Sequence, residues 1–116
     1  AYRFGPTGVF RLSEDHSWVA ERLKEGVLTR TEAARHPYRN VLTRALGLPE
    51  ARFDLVEVRL APGEGVLLVT DGLYGHVPEE EWRLGRDLQA SLEAMVAEAL
   101  RRGGDDNVTA VALRVE

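Results

Sequence analysis

The alternation of apolar and polar positions predicts the strands of this chain. Apolar residues at every second position predict a strand over 53–60, with one face buried. The run 66–69 is continuously apolar, which is typical of a strand covered on both faces. A Gly-Pro-Thr-Gly turn at 5–8 predicts a hairpin over 2–12. A last strand is predicted over 108–115.

Two short helices are predicted between the hairpin and the next strand. The first begins near Ser17 or Trp18 and stops at Gly26. The second covers about 30–36, because Thr29 and Glu32 have the spacing of a capping box. Its end is expected before Pro37, since the residue that precedes a proline disfavours helical geometry.

A longer helix is predicted over about 87–102, with apolar residues recurring at helical spacing along one side. The Gly103-Gly104 pair terminates it. Strands therefore mix with helices, and several strands are hairpin neighbours, so the predicted fold class is α+β. The length of 116 residues fits one compact domain over 1–116.

Composition narrows the chemistry that is open to the chain. Apolar residues make up 44%, which is enough for a core. The 15 basic and 19 acidic residues give a net charge of −4, which argues against nucleic acid as a partner. Cysteine is absent, so any metal must be held by oxygen or by histidine. No apolar run approaches the roughly 20 residues that a membrane helix needs, so no membrane segment is predicted.

Two acidic segments are candidate ligands for a hard cation. Asp71 follows an apolar strand, with Gly72 permitting a sharp turn and leaving room for a ligand. Asp105 and Asp106 are adjacent carboxylates that repel each other unless a cation or an arginine compensates them. Oxygen ligands suit Mg²⁺ or Mn²⁺. Each segment alone is more often structural, as a turn or as a loop with a capping side chain.

The ordered set of motifs resembles the type 2C, metal-dependent protein phosphatases, and most closely their bacterial branch. The resemblance covers residues 1–115, and its last two motifs are specific only as a pair. The motifs are Ser-Glu-Asp-His-Ser at 13–17, Glu-Ala at 32–33 with the segment 36–47, Pro-Gly at 62–63, Thr-Asp-Gly-Leu at 70–73, and Gly-Gly-Asp-Asp-Asn-Val-Thr at 103–109.

The resemblance implies half of a four-layer α/β/β/α sandwich with antiparallel sheets. It implies a centre of two or more Mn²⁺ or Mg²⁺ ions, with Asp71 and Asp106 as ligands. The residues expected to support the metal loops are Gly72, Asn107 (through side-chain hydrogen bonds) and Asp15. Asp105 falls on a variable position of the family motif and is not counted as a ligand.

The implied reaction is hydrolysis of phosphoserine and phosphothreonine on proteins by metal-activated water. No catalytic residue beyond the metal ligands is expected in this half. Residues 17–47 correspond to the flap beside the active site, where Arg39, Asn40 and Arg44 are candidate contacts to a phosphopeptide. An equal alternative is that they pin the flap in place. His36 and His76 show no ligand spacing, and a surface or helix-end position is favoured for both.

The family domain is about twice as long as this chain, and its remaining metal ligands lie in the N-terminal half. We therefore expect weak metal binding by this chain alone, and pairing with that half or with a second copy. The substrate is expected to be a phosphoprotein, and the location cytoplasmic. Two other functions stay open: a non-catalytic module that binds a regulatory partner protein, and a phosphatase specialised for one regulatory phosphoprotein.

Overall fold

The computed structural model describes residues 1–116 and divides into two compact units. One, the sheet unit, comprises Ala1–Leu12 and Val58–Glu116, and the other, the helical unit, comprises Ser13–Glu57. In chain order the elements are β1 (Tyr2–Gly5), β2 (Gly8–Arg11), α1 (Trp18–Lys24), α2 (Arg30–Arg35), β3 (Gly65–Val69), α3 (Asp71–Tyr74), a 3₁₀ turn (Glu79–Glu81), α4 (Leu88–Arg101) and β4 (Ala110–Arg114). None of the helices combines the length and the apolar character needed to cross a bilayer.

The sheet unit is built on four antiparallel strands in the order β2-β1-β3-β4. The hairpin, the strand at 66–69, the long helix and the last strand are confirmed, with end shifts of one or two residues. The predicted α+β class is confirmed as well. Asp87 caps the start of α4, where its carboxylate accepts a hydrogen bond from the amide of Ala90 at 3.1 Å.

One face of the sheet carries the core. Successive side chains of a strand point to opposite faces, so Tyr2, Phe4 and Leu67 share the face that packs with Met95 and Ala99 of α4. The other buried members of this core are Leu73, Val77 and Trp82.

The two polar groups of the aromatic side chains in this core, the Trp82 indole N–H and the Tyr2 hydroxyl, both form hydrogen bonds. The indole of Trp82 donates to the carbonyl of Val77 at 2.9 Å, and its ring meets Tyr2 edge-on with centroids 4.8 Å apart. The Tyr2 hydroxyl donates to Glu79 at 2.8 Å, and burial raises the pKa of this phenol to about 12. The core is therefore closed by aromatic groups that satisfy their own hydrogen bonds.

The opposite face of the sheet is open within this chain. It bears Phe10, Leu68, Val111 and Leu113, which are 44%, 52%, 59% and 67% exposed, and we call these four residues the apolar face. Leu68 lies opposite Val111 in the strand register, which places both on this side. The prediction that the strand at 66–69 is covered on both faces is therefore wrong here, because Leu68 is half exposed and α4 packs on the other side of the sheet.

The helical unit begins with two capped helices, as the sequence predicts. Ser17 accepts a hydrogen bond from the amide of Ala20 at 3.1 Å at the start of α1. Thr29 and Glu32 form the complete capping box of α2. Within this unit Trp18, His36 and Tyr38 form a cluster of rings.

The predicted strand over 53–60 is wrong in this structure. None of these residues joins a sheet, and Phe53 and Leu55 are 83% and 82% exposed. The alternation describes a chain with one apolar face, but a strand also needs a neighbour to satisfy its backbone amides and carbonyls. No strand of this chain pairs with the segment.

Replacement of Leu67 by alanine tests which face carries the core. Leu67→Ala should lower the free energy of unfolding of the 116-residue chain by about 2–5 kcal/mol, because it leaves a cavity at a fully buried position. Leu113→Ala, on the apolar face, should cost about 1 kcal/mol or less. Urea denaturation followed by circular dichroism measures both, and equal losses would contradict the assignment of the two faces.

Candidate metal centre

The two candidate ligand segments lie at one edge of the sheet. β3 and β4 are antiparallel, and Val69 at the end of β3 lies opposite Ala110 at the start of β4. Asp71 therefore leaves the sheet where the segment carrying Asp106 enters it. We call residues 70–75 the α3 turn and residues 103–107 the acidic loop.

Thr70 joins the α3 turn to the last residue of the acidic loop, Asn107, and to Thr109. Its hydroxyl donates to the carbonyl of Asn107 at 3.2 Å and accepts from the amide of Thr109 at 3.0 Å. Its own amide donates to the carbonyl of Thr109 at 3.0 Å. The threonine thus satisfies backbone groups just beyond the regular ladder and holds the two segments in register.

Gly72 makes a second close contact between the two segments. A Cβ atom at this position would overlap the carbonyl oxygen of Asn107 and would lie 3.2 Å from a methyl group of Val108. The sequence analysis expected this glycine to leave room for a ligand. That expectation is wrong, because the space is taken by the backbone of Asn107, and Gly72 is buried. The glycine is needed for the approach of two backbones.

The two candidate ligands, Asp71 and Asp106, are both exposed. Asp71 is the first residue of α3, and Asp106 accepts a hydrogen bond at 2.7 Å from the amide of Asn107. The side-chain hydrogen bonds expected of Asn107 are not present. Asn107 supports the loop through its backbone instead, with the carbonyl on Thr70 and the amide on Asp106.

The two carboxylates are the kind of ligand that a hard cation prefers, but they are too few to fill its coordination sphere. Carboxylate oxygens are the ligands that Mg²⁺ and Mn²⁺ prefer. No group of three or more histidine, cysteine, aspartate or glutamate residues gathers anywhere in the chain. Two carboxylates leave most positions of an octahedral ion to be filled by water, by substrate or by residues outside this chain.

The acidic loop is anchored where α4 ends. The Arg102 guanidinium contacts Glu81 at 2.7 and 2.8 Å and Glu98 at 2.7 Å. Hydrogen bonds from Arg101 and Arg102 lower the pKa of Glu98 to about 2, and the bond from Arg102 likewise lowers the pKa of Glu81. Both carboxylates are therefore ionised at neutral pH and hold Arg102 in place.

Backbone geometry then turns the chain from α4 into the acidic loop. Gly103 and Gly104 have φ values of +152° and +59°, which L side chains rarely adopt. The pair of glycines therefore allows the sharp change of direction that brings the loop to the sheet edge.

The other predicted site residues lie in the helical unit, where two arginines are already engaged. Arg44 donates to Asp54 at 2.9 Å, and Arg39 donates to the carbonyl of His36 at 3.1 Å. Asn40 and Asp15 are exposed. The hydrogen bond from His16 at 2.8 Å, followed by that from Arg44, lowers the pKa of Asp54. Phosphopeptide contact by Arg39, Asn40 and Arg44, and loop support by Asp15, stay predictions.

Sequence reasoning did not foresee the contacts of Thr70 and His76. His76 makes side-chain contacts to both the α3 turn and the acidic loop. Its four-residue spacing from Gly72 is the one local signal, because positions i and i+4 face each other on a helical turn. The contact with the acidic loop has no local signal.

Comparison with known proteins defines the class to which this fold and site belong. The family model of Stage II sporulation protein E (SpoIIE) matches residues 18–116. The chain is 36% identical over 104 residues to the serine/threonine phosphatase Stp of Listeria monocytogenes serotype 4b (strain F2365), a match that covers 85% of this chain and 41% of that protein. The chain thus spans about two fifths of the length of such curated relatives.

Solved structures show the same likeness. The PPM Ser-Thr phosphatase MsPP from Mycobacterium smegmatis, in complex with cacodylate, is 33% identical, with a TM-score of 0.82 over 99% of this chain and 51% of that one. The catalytic domain of the serine/threonine protein phosphatase PstP, in complex with two manganese ions, is 28% identical, with a TM-score of 0.79 over 99% of this chain and 49% of that one.

These matches define a phosphatase-type α+β domain, of which the chain represents about half. The chain belongs to the bacterial branch of the type 2C (PPM) family, which the SpoIIE model also represents.

The contact at Gly72 is open to a direct test. Gly72→Ala should lower the free energy of unfolding by about 1–3 kcal/mol, because the added methyl group forces the α3 turn away from Asn107. Gly85→Ala is the matched control, since its Cβ would lie 3.7 Å from the Ser91 hydroxyl, in ordinary contact. Urea midpoints measure both, and equal stability of the two variants would show that the segments are not in close contact.

Proposed function

We propose that the intact protein hydrolyses phosphoserine and phosphothreonine on proteins, with Mn²⁺ or Mg²⁺ as cofactor. Within this chain, Asp71 and Asp106 are the proposed metal ligands. The observation that carries the proposal is the contact of Thr70, in the α3 turn, with Asn107 of the acidic loop and with Thr109. The names of the relatives, and the two manganese ions of the PstP complex, support the same chemistry.

The mechanism follows from what these residues do. The hydrogen bond from the Asn107 amide engages one oxygen of Asp106 and orients its carboxylate. Asp71 is carried by a helix start that Thr70 and Gly72 hold against the backbone of Asn107. When bound, the metal ions supply activation of a water molecule and compensation of charge on the phosphoryl oxygens.

The proposed domain organisation makes residues 1–116 part of one catalytic domain, with a flap at about 17–47. We propose the cytoplasm as the location, since protein kinases there use ATP to produce the phosphoryl groups that the enzyme would remove. The Arg44 side chain is tied to Asp54 in this structure, so its contact with a phosphopeptide would require that pair to open.

Manganese-dependent phosphate release from a phosphothreonine peptide tests the proposed activity. Asp71→Asn in the intact protein should lower kcat/KM by more than the roughly 10- to 100-fold that loss of a residue supporting a metal ligand costs. Glu93→Gln, an exposed carboxylate change on α4, is the control and should leave the rate unchanged.

The alternative, a non-catalytic module, makes a different prediction. Asp71→Asn and Asp106→Asn would then leave the function of the protein intact, and no phosphate would be released by the unmodified protein at any manganese concentration. Either result would overturn the proposed activity.

The apolar face supports a further part of this proposal. The solved relatives are about twice as long as this chain, which covers 51% of the MsPP chain. We propose that the remainder of the phosphatase domain packs on Phe10, Leu68, Val111 and Leu113. Sheets packed face to face bury their apolar side chains in a common layer about 10 Å thick.

The energetic cost of one substitution in two contexts tests this packing. Leu68→Ala should cost about 1 kcal/mol or less in the 116-residue chain, where the side chain is half exposed, and about 2–5 kcal/mol in the intact protein. Urea denaturation of the variant and the unmodified protein, in the 116-residue chain and in the intact protein, gives the comparison. An equally small cost in the two contexts would show that the apolar face stays open.

A further inference from the structure

His76 lies between the two segments that carry the proposed metal ligands. Its Nδ1 atom is 3.1 Å from the carbonyl oxygen of Gly72, next to Asp71. Its Nε2 atom is 2.6 Å from a carboxylate oxygen of Asp105, next to Asp106. The imidazole therefore connects one neighbour of each proposed ligand.

The surroundings of His76 define its position closely. Its side chain is only 19% exposed. A Cβ atom at Gly103 would lie 3.3 Å from Nε2, so the acidic loop passes close to this edge of the ring. Its carbonyl accepts from the Arg102 guanidinium at 3.1 Å, and its amide donates to the carbonyl of Leu73 at 3.1 Å. The ring is therefore held by groups from both segments, and the backbone of His76 is held by the end of α4.

Both ring partners of His76 are hydrogen-bond acceptors, one a carbonyl and the other a carboxylate. A ring nitrogen that carries a proton donates to such an acceptor. The ring thus engages one carboxylate oxygen of Asp105 at 2.6 Å. Asp106 is left with its amide contact to Asn107 and with free acceptor capacity for a cation.

We propose that His76 is a positioning residue of the metal centre. It fixes the acidic loop relative to the α3 turn, and it occupies Asp105 so that Asp106 is the carboxylate presented to the ion. This inference rests on the proposed function, because it takes Asp71 and Asp106 as metal ligands. Residues that orient metal ligands typically contribute 10- to 100-fold to metal affinity.

Manganese binding by the intact protein, measured by electron paramagnetic resonance of free Mn²⁺, tests the proposal. His76→Gln and Asp105→Ala should each raise the Kd by about tenfold or more, because each breaks the connection between the segments. The double variant should bind about as weakly as either single variant, since the two side chains act as one unit. Asp105→Asn keeps an acceptor oxygen for the ring and should bind nearly as well as the unmodified protein.

If His76 acted only through its charge, the variants would change Mn²⁺ binding differently. Removal of a donor that neutralises negative charge would then strengthen Mn²⁺ binding in His76→Gln, and Asp105→Asn would weaken binding as much as Asp105→Ala. A purely structural role would lower the free energy of unfolding of the metal-free variants without changing the Kd. Each of these outcomes would overturn the proposal. Asp105 is 79% exposed, so its variants are expected to fold even if His76→Gln does not.

Two controls separate failure of this inference from failure of the proposed function. Asp71→Asn should abolish the tight Mn²⁺ site, and Glu93→Gln should leave it unchanged. If the unmodified protein binds no Mn²⁺, the proposed function and this inference fail together. If Asp71→Asn abolishes binding while His76→Gln and Asp105→Ala bind normally, only the positioning role of His76 is wrong.

Discussion

The close approach of the α3 turn to the backbone of Asn107 is the constraint on which the candidate centre depends. Gly72 permits this approach because it has no side chain, and the Thr70 hydroxyl fixes it by bonding backbone groups on the opposite segment. The two aspartates lie on exposed turns with few contacts of their own. Their relative placement is therefore set by Thr70, Gly72 and Asn107, none of which is a proposed metal ligand.

Local signals in the sequence predicted much of this fold. The capping box of Thr29 and Glu32, the Gly-Pro-Thr-Gly turn of the hairpin and the glycine pair after α4 each act within a few residues, and each element was found where predicted. The sequence placed Asp71 beyond one apolar strand and Asp106 before another. The structure adds that these strands are antiparallel neighbours, which brings the two ends to one edge.

Features that depend on distant partners could not be predicted in the same way. The alternation over 53–60 is real, yet the strand does not form, because pairing requires a neighbouring strand that no local pattern supplies. The roles of Gly72 and Asn107 were misassigned for a similar reason. Gly72 was expected to leave space for a ligand, but its missing side chain instead lets two backbones approach each other. Asn107 was expected to bond through its side chain, but it bonds through its backbone.

The contacts around His76 show how one site can distinguish between two adjacent carboxylates of the same type. Asp105 and Asp106 are chemically equivalent in sequence, and only their partners differ. An imidazole engages one of them, while a backbone amide engages the other and leaves it acceptor capacity. Because Arg102 holds the carbonyl of His76 and is itself held by Glu81 and Glu98, this distinction is tied to the end of α4. The proposed choice of Asp106 as the ligand would thus depend on the end of α4 as well as on the acidic loop itself.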